Sequence, residues 1–114
     1  MEEELKQIFG DDLIIHGESI PISHLTYRGK SRRYITWMII GEAPDLSAND
    51  EDLCSVVSVD VDIYSDSNYL DIIKEIKKKM KNNDWVWTGD SSEMYEEDTQ
   101  LYHKTCSFEK ERII

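Results

Sequence analysis

The sequence predicts an α+β domain, an antiparallel four- to five-stranded sheet covered on one face by two helices. Three observations lead there. Val57, Val59, Val61 and Ile63 alternate with Ser58, Asp60, Asp62 and Tyr64, the period-two pattern of a half-buried strand over Val56 to Tyr64. Tyr69, Ile72, Ile73, Ile76 and Met80 then fall at helical spacing, one apolar stripe on a helix over Tyr69 to Met80. A second alternating stretch, Leu101 to Glu109, puts Tyr102, Cys106 and Phe108 on one face of a closing strand.

The remaining elements follow in chain order. Glu2 to Phe9 reads as a short helix, with Leu5, Ile8 and Phe9 on one side and acids in the first turn, where the helix dipole favours them; Gly10 stops it. Leu13-Ile14-Ile15 is a short apolar run, and Ile20 to Tyr27 alternates weakly through Ile20, Ile22 and Leu25. Pro21 has no N–H to give a ladder, which confines that strand to an edge or to its first residues. Arg28-Gly29-Lys30-Ser31 supplies turn chemistry, and Tyr34 to Ile40 is aromatic and β-branched, so the two runs read as a hairpin with a charged tip. Gly41 to Asp52, with Pro44 and five acids, reads as a long solvated loop, taken with its flank as a flexible acidic segment over 41–53. Such a loop is a candidate partner contact. Ser65-Asp66-Ser67 offers N-caps to the Lys-rich helix, Trp85-Val86-Trp87 begins another strand, and Thr88 to Asp98 is an acidic connection.

At 114 residues and 13.4 kDa the chain is read as one domain, residues 1–114. No run approaches the roughly 18 apolar residues of a membrane span, and Met1-Glu2-Glu3-Glu4 lacks a secretion signal, so the expectation is a soluble cytoplasmic protein with Cys54 and Cys106 reduced. The net charge of −11 is distributed in blocks. Arg28, Lys30, Arg32 and Arg33 form one basic cluster and the lysines of residues 74–81 another, while residues 42–52 and 84–98 are acidic. Blocks of opposite sign suit head-to-side contact between copies, and equally suit plain solvated faces. A net acidic surface disfavours binding along duplex nucleic acid.

Catalytic and metal chemistry find little footing. His16, His24 and His103 lack zinc spacing, and His103 falls on the polar face of the last strand, where a hydrogen-bonded imidazole is the expected role. Glu93, Glu96, Glu97 and Asp98 lack the calcium-loop pattern and read as a solvated or subunit-facing surface. The five glycines are isolated, so no phosphate loop exists, and no nucleophile elbow is present. The expectation is a non-enzyme with no cofactor and no metal. Its candidate interface residues are Arg28, Lys30, Arg32 and Arg33 on the basic side and Asp50, Glu51, Asp52, Glu93, Glu96, Glu97 and Asp98 on the acidic side.

Tyr27-Arg28-Gly29-Lys30 before Tyr34-Ile35-Thr36-Trp37, the acidic loop, Ser58 to Ser65, the Lys-rich helix, and Met94-Tyr95-Glu96-Glu97-Asp98-Thr99 with Leu101-Tyr102-His103-Lys104 form a pattern over about residues 20–110. That pattern resembles the tail completion or tail terminator proteins of long-tailed phages and prophages of Gram-positive bacteria. Trp85-Val86-Trp87 departs from it, standing where relatives commonly have a Gly-aromatic turn. The resemblance implies an α+β subunit that assembles with itself into a ring, a hexamer, capping the tail tube of major tail protein and facing the head-tail connector. It implies a life in the host bacterial cytoplasm during assembly and then in the virion neck, and no catalytic residues. Two other classes stay open. One is a head completion or stopper neck protein, the other an acidic inhibitor that mimics DNA, against which the two basic blocks argue.

Overall fold

The central strand organises the molecule. In a computed structural model, which describes residues 2–44 and 54–113, the elements run α1 (Glu2–Phe9), β1 (Asp12–Ile15), β2 (Glu18–His24), β3 (Arg33–Pro44), β4 (Cys54–Ser65), α2 (Leu70–Lys81), β5 (Val86–Asp90), β6 (Met94–Glu96) and β7 (Leu101–Ile113). Along β4 every second residue from Ser55 to Ser65 is buried, as its alternating sequence predicts. The strand is flanked by β3 on one side and β7 on the other, both antiparallel, in the order β1-β2-β3-β4-β7-β5, with β6 also pairing β7.

One face of this sheet is the core. Ile35 and Trp37 of β3, Val57, Val59, Val61 and Ile63 of β4, and Cys106 and Phe108 of β7 are buried there against Leu5 and Phe9 of α1 and Ile72, Ile73, Ile76 and Met80 of α2. The whole apolar stripe read from the second helix is therefore in use. Each isoleucine so buried contributes about 1.5–3 kcal/mol relative to exposure.

The α+β class stands, but the sheet has seven strands and is mixed, where four or five antiparallel strands were expected. The three-residue β6 adds one strand, and two local causes account for the rest of the difference. His16 and Gly17 both take positive φ, 50° and 81°, the requirement of a tight two-residue hairpin turn, so Leu13-Ile14-Ile15 folds back as β1 against β2. A three-residue apolar run was too short a signal for that. Second, β2 and β3 are parallel, pairing Ile22 with Ile35, Ser23 with Thr36 and His24 with Trp37. Residues 25–32 are thus a crossover, not the hairpin tip the turn chemistry suggested.

The crossover is held by side chains. Tyr27 stacks on Tyr34 at 4.4 Å, Ser31 N–H donates to the Tyr27 hydroxyl at 2.9 Å, and Ser31 Oγ donates to the Arg33 carbonyl. A Cβ on Gly29 would run into the Tyr27 ring, which lies across that backbone. Pro21 does not put β2 at an edge either. It sits opposite Asp12, where pairing to β1 ends, and pairing to β3 begins one residue later at Ile22, so its missing N–H costs no ladder bond.

Two strands outrun their predicted limits. β3 continues to Pro44 and β7 to Ile113, giving a molecule with extents of 49 × 26 × 23 Å. The first four residues of the loop predicted from Gly41, residues 41–44, are therefore strand, and residues 45–53 lie outside the described residues. No helix among the described residues is long and apolar enough to cross a membrane.

Candidate interaction surface

The sheet face opposite the helices is polar and aromatic. In-register pairing across β3, β4 and β7 sets Tyr34, Tyr64 and His103 in one row, Thr36, Asp62 and Thr105 in the next, and Met38, Asp60 and Ser107 in a third. The first row, extended by Tyr27, is a ladder of four stacked rings with centroids 4.4, 4.6 and 4.2 Å apart. In the second, Asp62 Oδ1 accepts from the Thr105 hydroxyl at 2.6 Å and meets His103 Nε2 at 2.9 Å. In the third, Ser107 donates to Asp60 at 2.7 Å.

The electrostatics follow from this packing. Burial raises the Asp62 pKa, but hydrogen bonds from His103 and Thr105, with the charge of the imidazole, outweigh it and leave the carboxyl below its ordinary value. The same burial, with the Asp62 anion beside it, pushes the Tyr64 phenol up to about 12. Tyr34 is raised for the same first reason. These groups bond across strands and satisfy one another, so the ladder works as a rigid clamp on three strands.

The basic cluster divides in two. Arg33 is mostly buried and committed within its own chain. Nη1 lies 2.6 Å from Glu18, Nη2 donates to Asp71 and to the Asn68 carbonyl, and Nε donates to Ser65 Oγ at 3.2 Å. Arg32 bonds the carbonyls of Thr99 and Gln100 and pairs with Asp66. Arg28 and Lys30 are exposed, with no ion-pair partner among the described residues. On the acidic side, Glu93 accepts from Tyr69 and helps raise that phenol to about 12, after burial. Glu96 lies 4.0 Å from His103 Nδ1, Glu97 and Asp98 are exposed in the turn after β6, and Asp50, Glu51 and Asp52 lie outside the described residues. The structure thus brings Arg32 beside the Thr99-Gln100 turn that follows the acidic run, within one subunit.

Of the exposed apolar side chains, sequence reasoning singles out Trp87, read with Trp85 as a core or interface anchor on one side of a strand. Trp85 is buried and Trp87 about half exposed, and the placement of the whole exposed set is the more informative feature. Ile14 and Leu70, each more than half exposed, flank a groove of about 430 Å³ between β1 and α2. At the other lateral edge Val86 and Trp87, also more than half exposed, stand with Met94, Tyr95 and Tyr102. Met38, Ile39 and Ile40 are exposed on β3. A signal was available for the last group. Tyr34 to Ile40 is apolar without alternation, so both faces of that strand carry apolar residues.

No family model matches the chain, and no curated protein matches it.

Proposed function

We propose that the protein is a structural subunit that assembles head to tail into a closed ring, and that the ring is the tail terminator or tail completion element of a long-tailed phage or prophage, capping the tail tube and joining it to the head. One observation carries the assembly half of this reading. Exposed large apolar side chains gather at two different lateral edges of one sheet, Ile14 and Leu70 beside β1, and Val86, Trp87, Met94 and Tyr95 beside β5 and β6. Unlike patches on opposite edges pair heterologously, and a heterologous contact that closes makes a ring. Exposed patches of this kind mark interaction sites on soluble domains.

The phage assignment rests on the resemblance of residues 20–110 described above. The proposed partners are a further copy of the chain, the major tail protein of the tube and a head-tail connector protein. The same resemblance makes the reading non-enzymatic. Sedimentation velocity over a wide protein concentration range, with and without purified tail tubes, tests it. The expected result is concentration-dependent association into one closed species and co-sedimentation with tube ends. A chain that stays monomeric throughout and binds no tube refutes the proposal, whereas binding to filled heads in place of tubes assigns it to the head completion class.

A further inference from the structure

The three longest strands carry more backbone than their neighbours cover. β2 pairs β3 only from Ile35 to Trp37, and Leu25 N–H bonds the Trp37 carbonyl as the last contact on that side. From Met38 to Pro44 the outer edge of β3 has no ladder partner among the described residues, while its inner edge stays paired to β4 down to Ser55. The opposite edge repeats the pattern. β5 pairs β7 no further than Glu109, opposite Val86, and β7 runs on to Ile113 along β4 alone. Among the described residues the sheet therefore ends in a three-stranded arm with two open edges.

An unpaired edge is a template for another strand, and proteins usually blunt it with charge or with very short strands. β3 carries little of that charge. Its open stretch is Met-Ile-Ile-Gly-Glu-Ala-Pro, with three exposed apolar residues and a single charge. A bulge at Ile40, between Ile39 and Gly41, interrupts it, and Pro44, which has no N–H, closes it.

We infer that the open edge of β3 in one copy receives the open edge of β7 of the next copy, so that successive arms join into one continuous sheet. This rests on the ring proposed above and assigns its contact. Direction fits. β3 and β7 are both antiparallel to β4 and hence parallel to each other, so copies related by rotation alone meet β7 to β3 as parallel neighbours. Side fits too, because β3 lies on the β1 flank of the arm and β7 on the β5 flank, the two flanks that carry the unlike apolar patches. Charge adds nothing to the fit, because Glu42 is already paired with Arg112 and accepts from Ser55 within the chain, and Lys110 is paired with Glu4. Beside the β7 edge, exposed Val86 and Trp87 are apolar matches for Met38, Ile39 and Ile40.

A mixing experiment tests this. One variant blocks the β3 edge, Ile39→Lys with Ile40→Lys, at positions already exposed. The other removes the β7 edge by ending the chain after Lys110, or, if that lowers the melting temperature, carries Val86→Lys with Glu111→Lys in the full chain. The expected result by sedimentation velocity is at least tenfold weaker self-association for each variant alone, at unchanged melting temperature. Mixed one to one, the two should form a dimer and nothing larger, because each supplies the one edge the other lacks. Three outcomes overturn the inference. If the β7 variant still self-associates while the β3 variant does not, β3 pairs with β3 across a two-fold axis. If both variants form wild-type rings, the ring closes through other surfaces. If the wild-type chain never associates, the ring itself fails and this contact with it.

Discussion

Arg33 ties three parts of the fold together, and reversing its charge should unfold much of what it holds. The guanidinium reaches Glu18 of β2, Ser65 at the end of β4, and Asn68 and Asp71 at the start of α2. Its own side chain is 15% exposed, but those of Glu18 and Asp71 are 48% and 36% exposed, so each ion pair is discounted to about 0.5–1 kcal/mol. The bonds to Ser65 Oγ and the Asn68 carbonyl contribute about 1 kcal/mol each. Arg33→Glu loses all four and sets a third carboxylate beside two, which adds about 1 kcal/mol even at the dielectric of bulk water. The total is about 4 kcal/mol, a large share of the roughly 5–15 kcal/mol of a domain this size. With a urea slope of about 1–3 kcal/mol per molar, the midpoint should fall by about 2 M. Lys30→Glu, at an exposed position without an ion-pair partner among the described residues, is the control and should stay within about 0.5 kcal/mol of wild type. Urea unfolding followed by circular dichroism measures both. Equal midpoints for the two variants would mean that the Arg33 network is not formed in solution and that the cluster is a uniform charged surface.

Two further outcomes follow from the open face. Asp62→Asn should cost about 1–3 kcal/mol at pH 7, since His103 and Thr105 lose a charged acceptor. Because the folded-state pKa of Asp62 is lowered from 3.8, its stabilisation is complete above that value and is lost as pH falls through the folded pKa. The wild type should therefore lose more stability than Asp62→Asn between pH 7 and pH 3, and parallel profiles from denaturation at the two pH values would sink the argument. Gly29→Ala should cost about 1–2 kcal/mol, because the new methyl displaces Tyr27 from its stack on Tyr34 and from Ser31 N–H; an unchanged near-ultraviolet dichroism spectrum would show that the ring has room to spare.

What could be read from the sequence was whatever periodicity encodes. Both helices came out within a residue of their observed limits and the alternating strand β4 within two, because burial on one side leaves a repeat of 3.6 or 2 in the residues themselves. β6 left no such mark. Its three residues, Met94-Tyr95-Glu96, carry too few positions to show a period, so they vanished into an acidic connection. Direction left no mark either: the residues of β2 and β3 are the same whether the strands meet parallel or antiparallel, and what decides is where the Tyr27 ring lies over Gly29 and where Leu25 takes its positive φ of 69°. Charge misled for a related reason. Arg32 and Arg33 look identical to Arg28 and Lys30 in a list of cations, yet the strand register carries Arg33 inward to Ser65, its partner in the β3–β4 ladder, with Asp71 close by. A cation count measures how much charge a segment holds, and only pairing tells whether that charge remains for a second molecule. By that measure the intermolecular half of the reading passes from the arginines to the backbone of β3 and β7 that no strand covers among the described residues, where a neighbour could complete the ladder.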